Sequence, residues 1–183
     1  IVGLKPTLAR VSRAGVTPLS WTLDSVGPMT RTVEDAALVF EAIAGSDLND
    51  SVTLCQPSMD VISDLYNDVS GMRIGFVRDP FCDHADAEVV SAIEAASHVL
   101  TGLGVQVVEM DFPEAREELD DELDGRGSSL IMPVEGFASH RDLIAGQGDM
   151  MDARIRDRIA HGNTFSAVDY ALVLQKREIL MAR

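Results

Sequence analysis

Residues 3–45 read GLKPTLARVSRAGVTPLSWTLDSVGPMTRTVEDAALVFEAIAG, and the rest of the chain is organised around them. The first part of this stretch is interrupted at short intervals by residues that break regular helices and long strands. These residues are Pro6, Gly15, Pro18, Gly27 and Pro28. The pattern predicts a long irregular loop whose conformation is held by the structure around it.

The last part of the stretch predicts a short helix. Thr32 offers a hydroxyl for the N-cap, and Glu34 and Asp35 place negative charge in the first turn. Gly45 provides a residue that can adopt positive φ and end the helix. The apolar residues fall on one helical face, which we expect to pack against a core. They are Val33, Ala36, Ala37, Phe40 and Ile43.

Three segments of this stretch carry a resemblance to a known family. They are GLKPT at residues 3–7, WTLDSVGP at residues 21–28 and RTVEDAA at residues 31–37. In this order they resemble the amidase signature family, which are serine hydrolases of carboxamides. Thr22 stands where the family often has serine, and this exchange keeps a hydroxyl. The resemblance implies an α/β protein with a partial amidase-signature fold, in which a mixed sheet with a βαβ unit is flanked by helices.

The resemblance also implies how the chain is divided. Residues 1–183 would be one partial amidase domain, truncated at both ends. Within it, residues 1–45 would form a core loop and helix, residues 46–113 the βαβ unit, and residues 114–183 a helical region on the substrate side.

Sequence patterns predict the elements of the last two segments. Alternating apolar residues predict strands at 72–77 and 105–110, with a helix between them from about Asp86, so these strands should be parallel. Val89, Ile93, Ala96 and Leu100 would lie on one face of that helix.

The helical region is predicted from spacing and end signals. One helix is expected over 128–145, which Pro133 should distort or restart because proline lacks a backbone donor. A second is expected over 151–160, ended by Gly162. Ser166 and Asp169 have the spacing of a capping box and predict the start of the final helix.

Members of the family use a Ser-cisSer-Lys triad that lies upstream of the GLKPT segment, and they require no metal or organic cofactor. The resemblance therefore implies that this chain holds no catalytic residue and is inactive alone. Gly-Ser-Ser at residues 127–129 does not replace the missing segments. Leu130 follows it where glycines would be needed to free backbone amides for an oxyanion. The spacing does not place Lys5 or Lys176 within reach of a serine as its base.

The resemblance implies substrate contacts in the helical region. Glu135-Gly136 and the segment at residues 158–162 match family segments near the substrate funnel. Arg158 matches an arginine that faces the substrate carboxylate in aminoacyl-tRNA amidotransferase A subunits, and a guanidinium suits a carboxylate. Met132 and Ser128 would line the same pocket. Two alternatives stay open, namely a solvated helix face for Arg158 and core packing for Met132.

Composition excludes several classes of protein. The chain has 183 residues and a net charge of −15, so direct binding to nucleic acid is not expected. It has no run of apolar residues long enough to predict a membrane span. Cys55 and Cys82 form neither a disulfide framework nor a metal motif, which favours a reducing cytoplasm.

An acidic block precedes the helical region. It contains Glu114, Glu117, Glu118, Asp120, Asp121, Glu122 and Asp124. A solvated loop or helix face explains it best, and the alternative is a metal site, which needs ligands from several elements.

Three functions are compatible with the sequence. The first is part of a stand-alone amidase that acts on a small amide and is completed by the remainder of its chain. The second is part of an amidotransferase A subunit, and the third is a non-catalytic scaffold with the same fold. The identity of the amide and the oligomeric state, including a homo-oligomer, stay open.

Overall fold

The computed structural model describes residues 1–83, 85–123 and 127–182, and of residues 119–123 the backbone. The chain forms two compact units. Unit 1 contains residues 1–67 and 132–164, and unit 2 contains residues 68–131 and 165–183. Within the described ranges, no helix combines the length and the apolar character that a membrane span requires.

Unit 1 begins with the irregular loop. Strands β1 (Val2–Gly3) and β2 (Met29–Thr30) pair antiparallel and close it at its base, with Val2 opposite Thr30. The loop between them is also fixed near its middle, where Val11 bridges Ala44 and the Gly45 amide donates to the carbonyl of Arg10. The predicted loop is confirmed, and it is held by contacts distant in sequence.

Helix α1 (Val33–Ile43) follows the loop with the predicted cap. The Thr32 hydroxyl accepts from the Asp35 amide, and Gly45 adopts a φ of +136° just beyond the helix. Ala36, Ala37 and Phe40 are buried. Val33 and Ile43 are exposed, so the predicted apolar stripe was too wide.

Helices α4 (Ile131–Gln147) and α5 (Ala153–Ala160) complete unit 1. Of the distortion or restart predicted at Pro133, the structure shows a new start, because α4 begins at Ile131 and Pro133 lies in its first turn, where backbone amides have no intrahelical acceptor. Residues Ser128–Leu130, which were predicted as helical, form a separate 3₁₀ turn. Asp152 caps α5 by accepting from the amides of Arg154 and Ile155.

Helix α4 and the turn after α5 are in close backbone contact. A Cβ on Gly162 would overlap the carbonyl oxygen of Pro133, which no side chain could tolerate. Ile159, the buried residue of α5, lies beside Gly136 of α4. Glycine at these two positions is what allows the helices to approach.

Unit 2 contains the predicted βαβ unit. Strands β3 (Arg73–Phe76) and β4 (Gln106–Glu109) are parallel, with Arg73 opposite Gln106, and helix α2 (Ala87–Gly102) connects them. Helix α2 has no buried residue within the described part of the chain. Its predicted apolar face is therefore largely uncovered, with Val89 and Ile93 both exposed.

The rest of unit 2 is helical. Helix α3 (Pro113–Leu123) contains most of the acidic block, of which Asp124 lies outside the described residues. Helix α6 (Ala167–Met181) starts at the predicted capping box of Ser166 and Asp169. Glu118 links these elements, since its carboxylate accepts from the Ser128 amide at 2.8 Å and lies 3.7 Å from the ammonium of Lys176.

Candidate functional site

Glu135 of α4 is the centre of a buried polar contact in unit 1. Its side chain is 0% exposed, although the loop that contacts it is more than a hundred residues away in sequence. One carboxylate oxygen accepts from the Ser20 hydroxyl at 2.6 Å and from the Thr22 amide at 3.0 Å. The other accepts from the Thr22 hydroxyl at 2.8 Å. Glu135 therefore fixes residues 20–22 of the loop onto the helix.

The pairing of Ser20 with Glu135 resembles a nucleophile beside a base, but it cannot act as one. The Ser20 side chain is 1% exposed, so a substrate carbonyl has no access to its hydroxyl. A catalytic serine needs both a base and an approach path for the substrate. The contact is a structural clamp.

The same turn is stabilised by Asp24. Its Oδ2 atom accepts from the amides of Leu19 and Ser20, at 2.9 and 3.0 Å. His140 of α4 contacts the turn through a 2.7 Å hydrogen bond between its Nε2 atom and the carbonyl of Pro18. Residues 18–24 are thus held by groups within the loop and by two residues of α4.

Arg13 and Asp50 fix the other side of the loop. The Arg13 amide and Nε both donate to Asp50 Oδ2, at 2.9 and 3.1 Å, and Nη2 donates to Oδ1 at 3.2 Å. The remaining guanidinium nitrogen, Nη1, donates to the carbonyl of Trp21. Arg13 therefore connects the residue 50 region to the turn that Glu135 also holds.

These contacts shift the pKa values of both partners in the expected directions. The hydrogen bonds from the Arg13 side chain and amide lower the pKa of Asp50 from 3.8 to about 2. The same pair raises the pKa of Arg13. The pKa of Asp47 is lowered by the hydrogen bond from the Ser12 hydroxyl and by the Asn49 amide. The carboxylates of this region are stabilised in their ionised form.

Arg158 lies on the exposed surface of α5. Among the described residues, no hydrogen bond or ion pair involves its side chain, whereas Arg154 and Arg156 of the same helix pair with Asp152 and Asp157. Its guanidinium is thus accessible to an anionic group.

Met132 and Ser128 occupy different units. Met132 lies half-buried in the first turn of α4 in unit 1, close in sequence to Glu135. Ser128 lies in a 3₁₀ turn of unit 2, where its amide is bound by Glu118. Arg158 and Met132 share unit 1, and their helices are in contact through Gly136 and Ile159.

The lysines considered as bases have other contacts. Lys5 donates to the carbonyl of Pro6 at 2.9 Å, and Lys176 pairs with Glu118. Cys55 and Cys82 are free thiols. In the part of the chain that the structure describes, no three His, Cys, Asp or Glu side chains are grouped closely enough to hold a metal ion.

Two of the three segments that carry the resemblance lie in the clamped loop, and the third, at residues 31–37, leads into α1. Comparison with known proteins identifies the family. The family model described as Amidase matches residues 1–160. The chain belongs to the amidase family.

Relatives of this family chain fall into two groups. An amidase of Pseudomonas putida is 38% identical over all 183 residues, which span 38% of that protein's length. The A subunit of the glutamyl-tRNA(Gln) amidotransferase of Gloeobacter violaceus is 44% identical over 113 residues, which are 62% of this chain and 23% of that one.

A solved structure shows the same fold. It is described as an unexpected vestigial protein complex that reveals the origins of an s-triazine catabolic enzyme. It aligns with a TM-score of 0.81 and 26% identity. The alignment covers 97% of this amidase-family chain and 37% of the chain in that structure. The α/β amidase-signature fold predicted from the loop motifs is therefore confirmed.

From the sequence, Glu135 is predicted only as part of a motif, and its hydrogen-bond partners are not predicted. The signal available in the sequence was an acidic residue close to a proline at the start of an apolar helix. Ser20 and Thr22 lie on either side of Trp21, in a distant part of the sequence. Nothing in the spacing of these residues indicated that they meet.

Replacing Glu135 by alanine should destabilise the fold by about 3 kcal/mol, because the buried Ser20 hydroxyl and the Thr22 amide lose their acceptor. Glu135→Gln should cost clearly less, since an amide oxygen can still accept. Urea denaturation followed by circular dichroism measures both. Glu178→Ala, at an exposed position of α6, is the matched control and should change stability by less than about 0.5 kcal/mol. Equal costs for Glu135→Ala and Glu178→Ala would show that the clamp is unimportant.

The Asp50 contact should make stability depend on pH in the acid range. Because its folded pKa of about 2 lies below the ordinary 3.8, ionised Asp50 stabilises the fold above about pH 4. This stabilisation is lost as the pH falls from about 4 towards 2. Asp50→Asn removes the titration, so the stability difference between the native chain and the variant should shrink over that range. Denaturation midpoints measured from pH 6 to pH 2 test this, and a constant difference would contradict it.

Proposed function

We propose that this chain is the scaffold part of an amidase that hydrolyses a small carboxamide, with the Ser-cisSer-Lys triad located upstream of Gly3. The observation that supports this most directly is the match to the Pseudomonas putida amidase along the whole chain. The chain covers only 38% of that protein, so the reaction is proposed for the complete amidase.

In the proposed reaction the nucleophilic serine attacks the amide carbonyl carbon. Its proton passes through the second serine to a neutral lysine and then to the leaving amine, whose C–N bond breaks. Water hydrolyses the resulting ester and releases the acid, while backbone amides stabilise the oxyanion in both steps. The residues of this chain would support the catalytic segments, with the clamped loop as a wall behind them.

The geometry of the described residues is in line with this division of roles. Ser20 is enclosed, Ser128 is bound through its amide to Glu118, and Lys5 and Lys176 are engaged elsewhere. These observations support a reaction centre contributed by other segments of the protein.

An amidotransferase A subunit is the second candidate. The 44% identity to the Gloeobacter violaceus protein favours it, since this exceeds the identity to the amidase. However, that match covers only 62% of the chain, while the amidase match continues through α5 and α6. The extent of the match therefore favours a stand-alone amidase.

The substrate-side residues are proposed to be Arg158, Met132 and Ser128. The exposed guanidinium of Arg158 suits a carboxylate on the substrate, which it could bind through two parallel hydrogen bonds. Met132, in the same unit as Arg158, would provide apolar contact for the body of the amide. Ser128 belongs to unit 2 and is proposed from the resemblance alone. The accessibility of Arg158 is the feature of the described residues that supports this assignment.

The proposed partner of this chain is the remainder of the amidase. Parallel strands are normally found in sheets covered on both faces, and a pair of strands is rarely stable alone. Here β3 and β4 form a parallel pair, and the connecting helix has no buried residue among those that the structure describes. Further strands and helices of the complete protein would cover these surfaces.

The purified 183-residue chain should not hydrolyse simple carboxamides such as benzamide or hexanamide. It should also fail to react with a fluorophosphonate probe, which labels activated serines. The measurements are ammonia release and labelling by the probe. Circular dichroism verifies beforehand that the chain is folded. The complete amidase prepared in parallel serves as the positive control. Turnover by the chain alone would refute the proposed location of the triad.

In the complete amidase, Arg158→Ala should raise KM by about 10- to 100-fold for amides that carry a free carboxylate, since it removes a charge-assisted contact. KM for the matching methyl esters should change little. Arg154→Ala is the control, because Arg154 lies on the same helix and pairs with Asp152. Equal effects on the acids and their esters would contradict a role of Arg158 in carboxylate recognition.

A further inference from the structure

A cleft in unit 1 lies apart from the proposed substrate-side residues. It has a volume of about 210 Å³ and opens between the loop and the region around residue 50. Its polar lining comes from Arg13, Asp24, Asn49 and Asp50, and its apolar lining includes Trp21 and Pro18.

Most of the polar groups of the cleft are already engaged within the protein. Arg13 donates to Asp50 and to the carbonyl of Trp21, and both oxygens of Asp50 accept hydrogen bonds. Asp24 Oδ2 accepts from two amides, but Asp24 Oδ1 has no hydrogen bond to any described residue. The Asn49 side chain donates to Asp47, which leaves its own oxygen without a donor in the described part of the chain. The oxygens that remain, Asp24 Oδ1 and the Asn49 side-chain oxygen, are acceptors, while Arg13 Nη1 and Nη2 each keep a second N–H.

The charged side chains that line the cleft are negative in sum. Arg13 contributes one positive charge, and Asp24 and Asp50 contribute two negative charges, so the cleft carries a net charge of −1. The chain as a whole carries −15, which adds to the attraction for cations. A ligand group that binds at Asp24 Oδ1 should therefore donate hydrogen bonds and carry one positive charge.

The apolar wall defines the rest of the ligand. The Trp21 side chain is 46% exposed at the cleft, and indole is the aromatic surface that attracts cations most strongly. Among the described residues, the cation–π contact is that of Arg78 with the Phe76 ring. No cation of these residues lies over the indole of Trp21. Pro18 extends the apolar surface beside it.

We propose that this cleft binds a primary alkylammonium group, with its ammonium on Asp24 Oδ1 and its alkyl chain on Trp21. A free amine and a lysine side chain share this chemistry. The proposal is independent of the amidase reaction.

The chain contains a single tryptophan, so its intrinsic fluorescence reports directly on the cleft. n-Butylammonium chloride titrated at constant ionic strength should change the fluorescence with saturation in the millimolar range. n-Butanol and sodium butyrate, which keep the alkyl chain without the positive charge, should bind at least about tenfold more weakly. If butanol gives the same midpoint, or the amine gives no saturable change, the proposal is wrong.

Variants locate the binding. Asp24→Asn should weaken n-butylammonium binding about tenfold or more, because an amide oxygen can still hold the Leu19 and Ser20 amides but carries no charge. Asp142→Asn, at an exposed position of unit 1, is the matched control and should leave the affinity unchanged. Unchanged affinity in Asp24→Asn would overturn the assignment.

Two further measurements complete the test. Circular dichroism of Asp24→Asn verifies its fold, and the comparison of ligands on the native chain stands even if the variant unfolds. Titration with Nα-acetyl-lysine amide then distinguishes the sources. Tighter binding of this compound than of n-butylammonium would identify a lysine side chain as the ligand, and weaker binding a free amine.

Discussion

The described structure of unit 1 depends on the burial of one carboxylate. Glu135 is inaccessible to solvent, and a buried charge is stable only when its oxygens are satisfied. Three hydrogen-bond donors from residues 20–22 satisfy the oxygens of Glu135. Since the loop has little regular structure of its own, this carboxylate substitutes for the backbone pairing that a strand or helix would provide. The cost of burying the charge is offset only when the loop adopts this single conformation.

The Arg13 and Asp50 pair completes the same arrangement from the opposite side. Arg13 contacts Asp50 and the carbonyl of Trp21, while Glu135 binds the residues on both sides of Trp21. The turn around Trp21 is therefore fixed from two directions. These contacts hold the backbone on both sides of Trp21, while its side chain stays partly exposed.

Local signals in the sequence predicted local features well. The Thr32 cap, the capping box of Ser166 and Asp169, and the parallel βαβ unit were all derived from short patterns and are confirmed. The pattern predicted a distortion or a restart of the helix at Pro133, and the α-helix starts at Ile131, two residues before it. The clamp at Glu135 was missed since it joins residues from distant parts of the chain, and no periodicity records such a contact. Arg158 was identified by resemblance, and its accessible guanidinium is a property that spacing alone could not establish.

The division between the clamped loop and the uncovered βαβ unit follows from how each is stabilised. The loop is fixed by polar contacts that are complete within unit 1, so it can hold its shape on the residues described. Helix α2 and its two strands depend instead on apolar burial, which needs surfaces on both sides of a sheet. In an amidase of the proposed kind, the segment that carries the catalytic serine needs a rigid support. Rigidity of that support matters more than burial of its apolar surface. The polar clamp meets that requirement locally, whereas helix α2 of unit 2 has no buried residue among those that the structure describes.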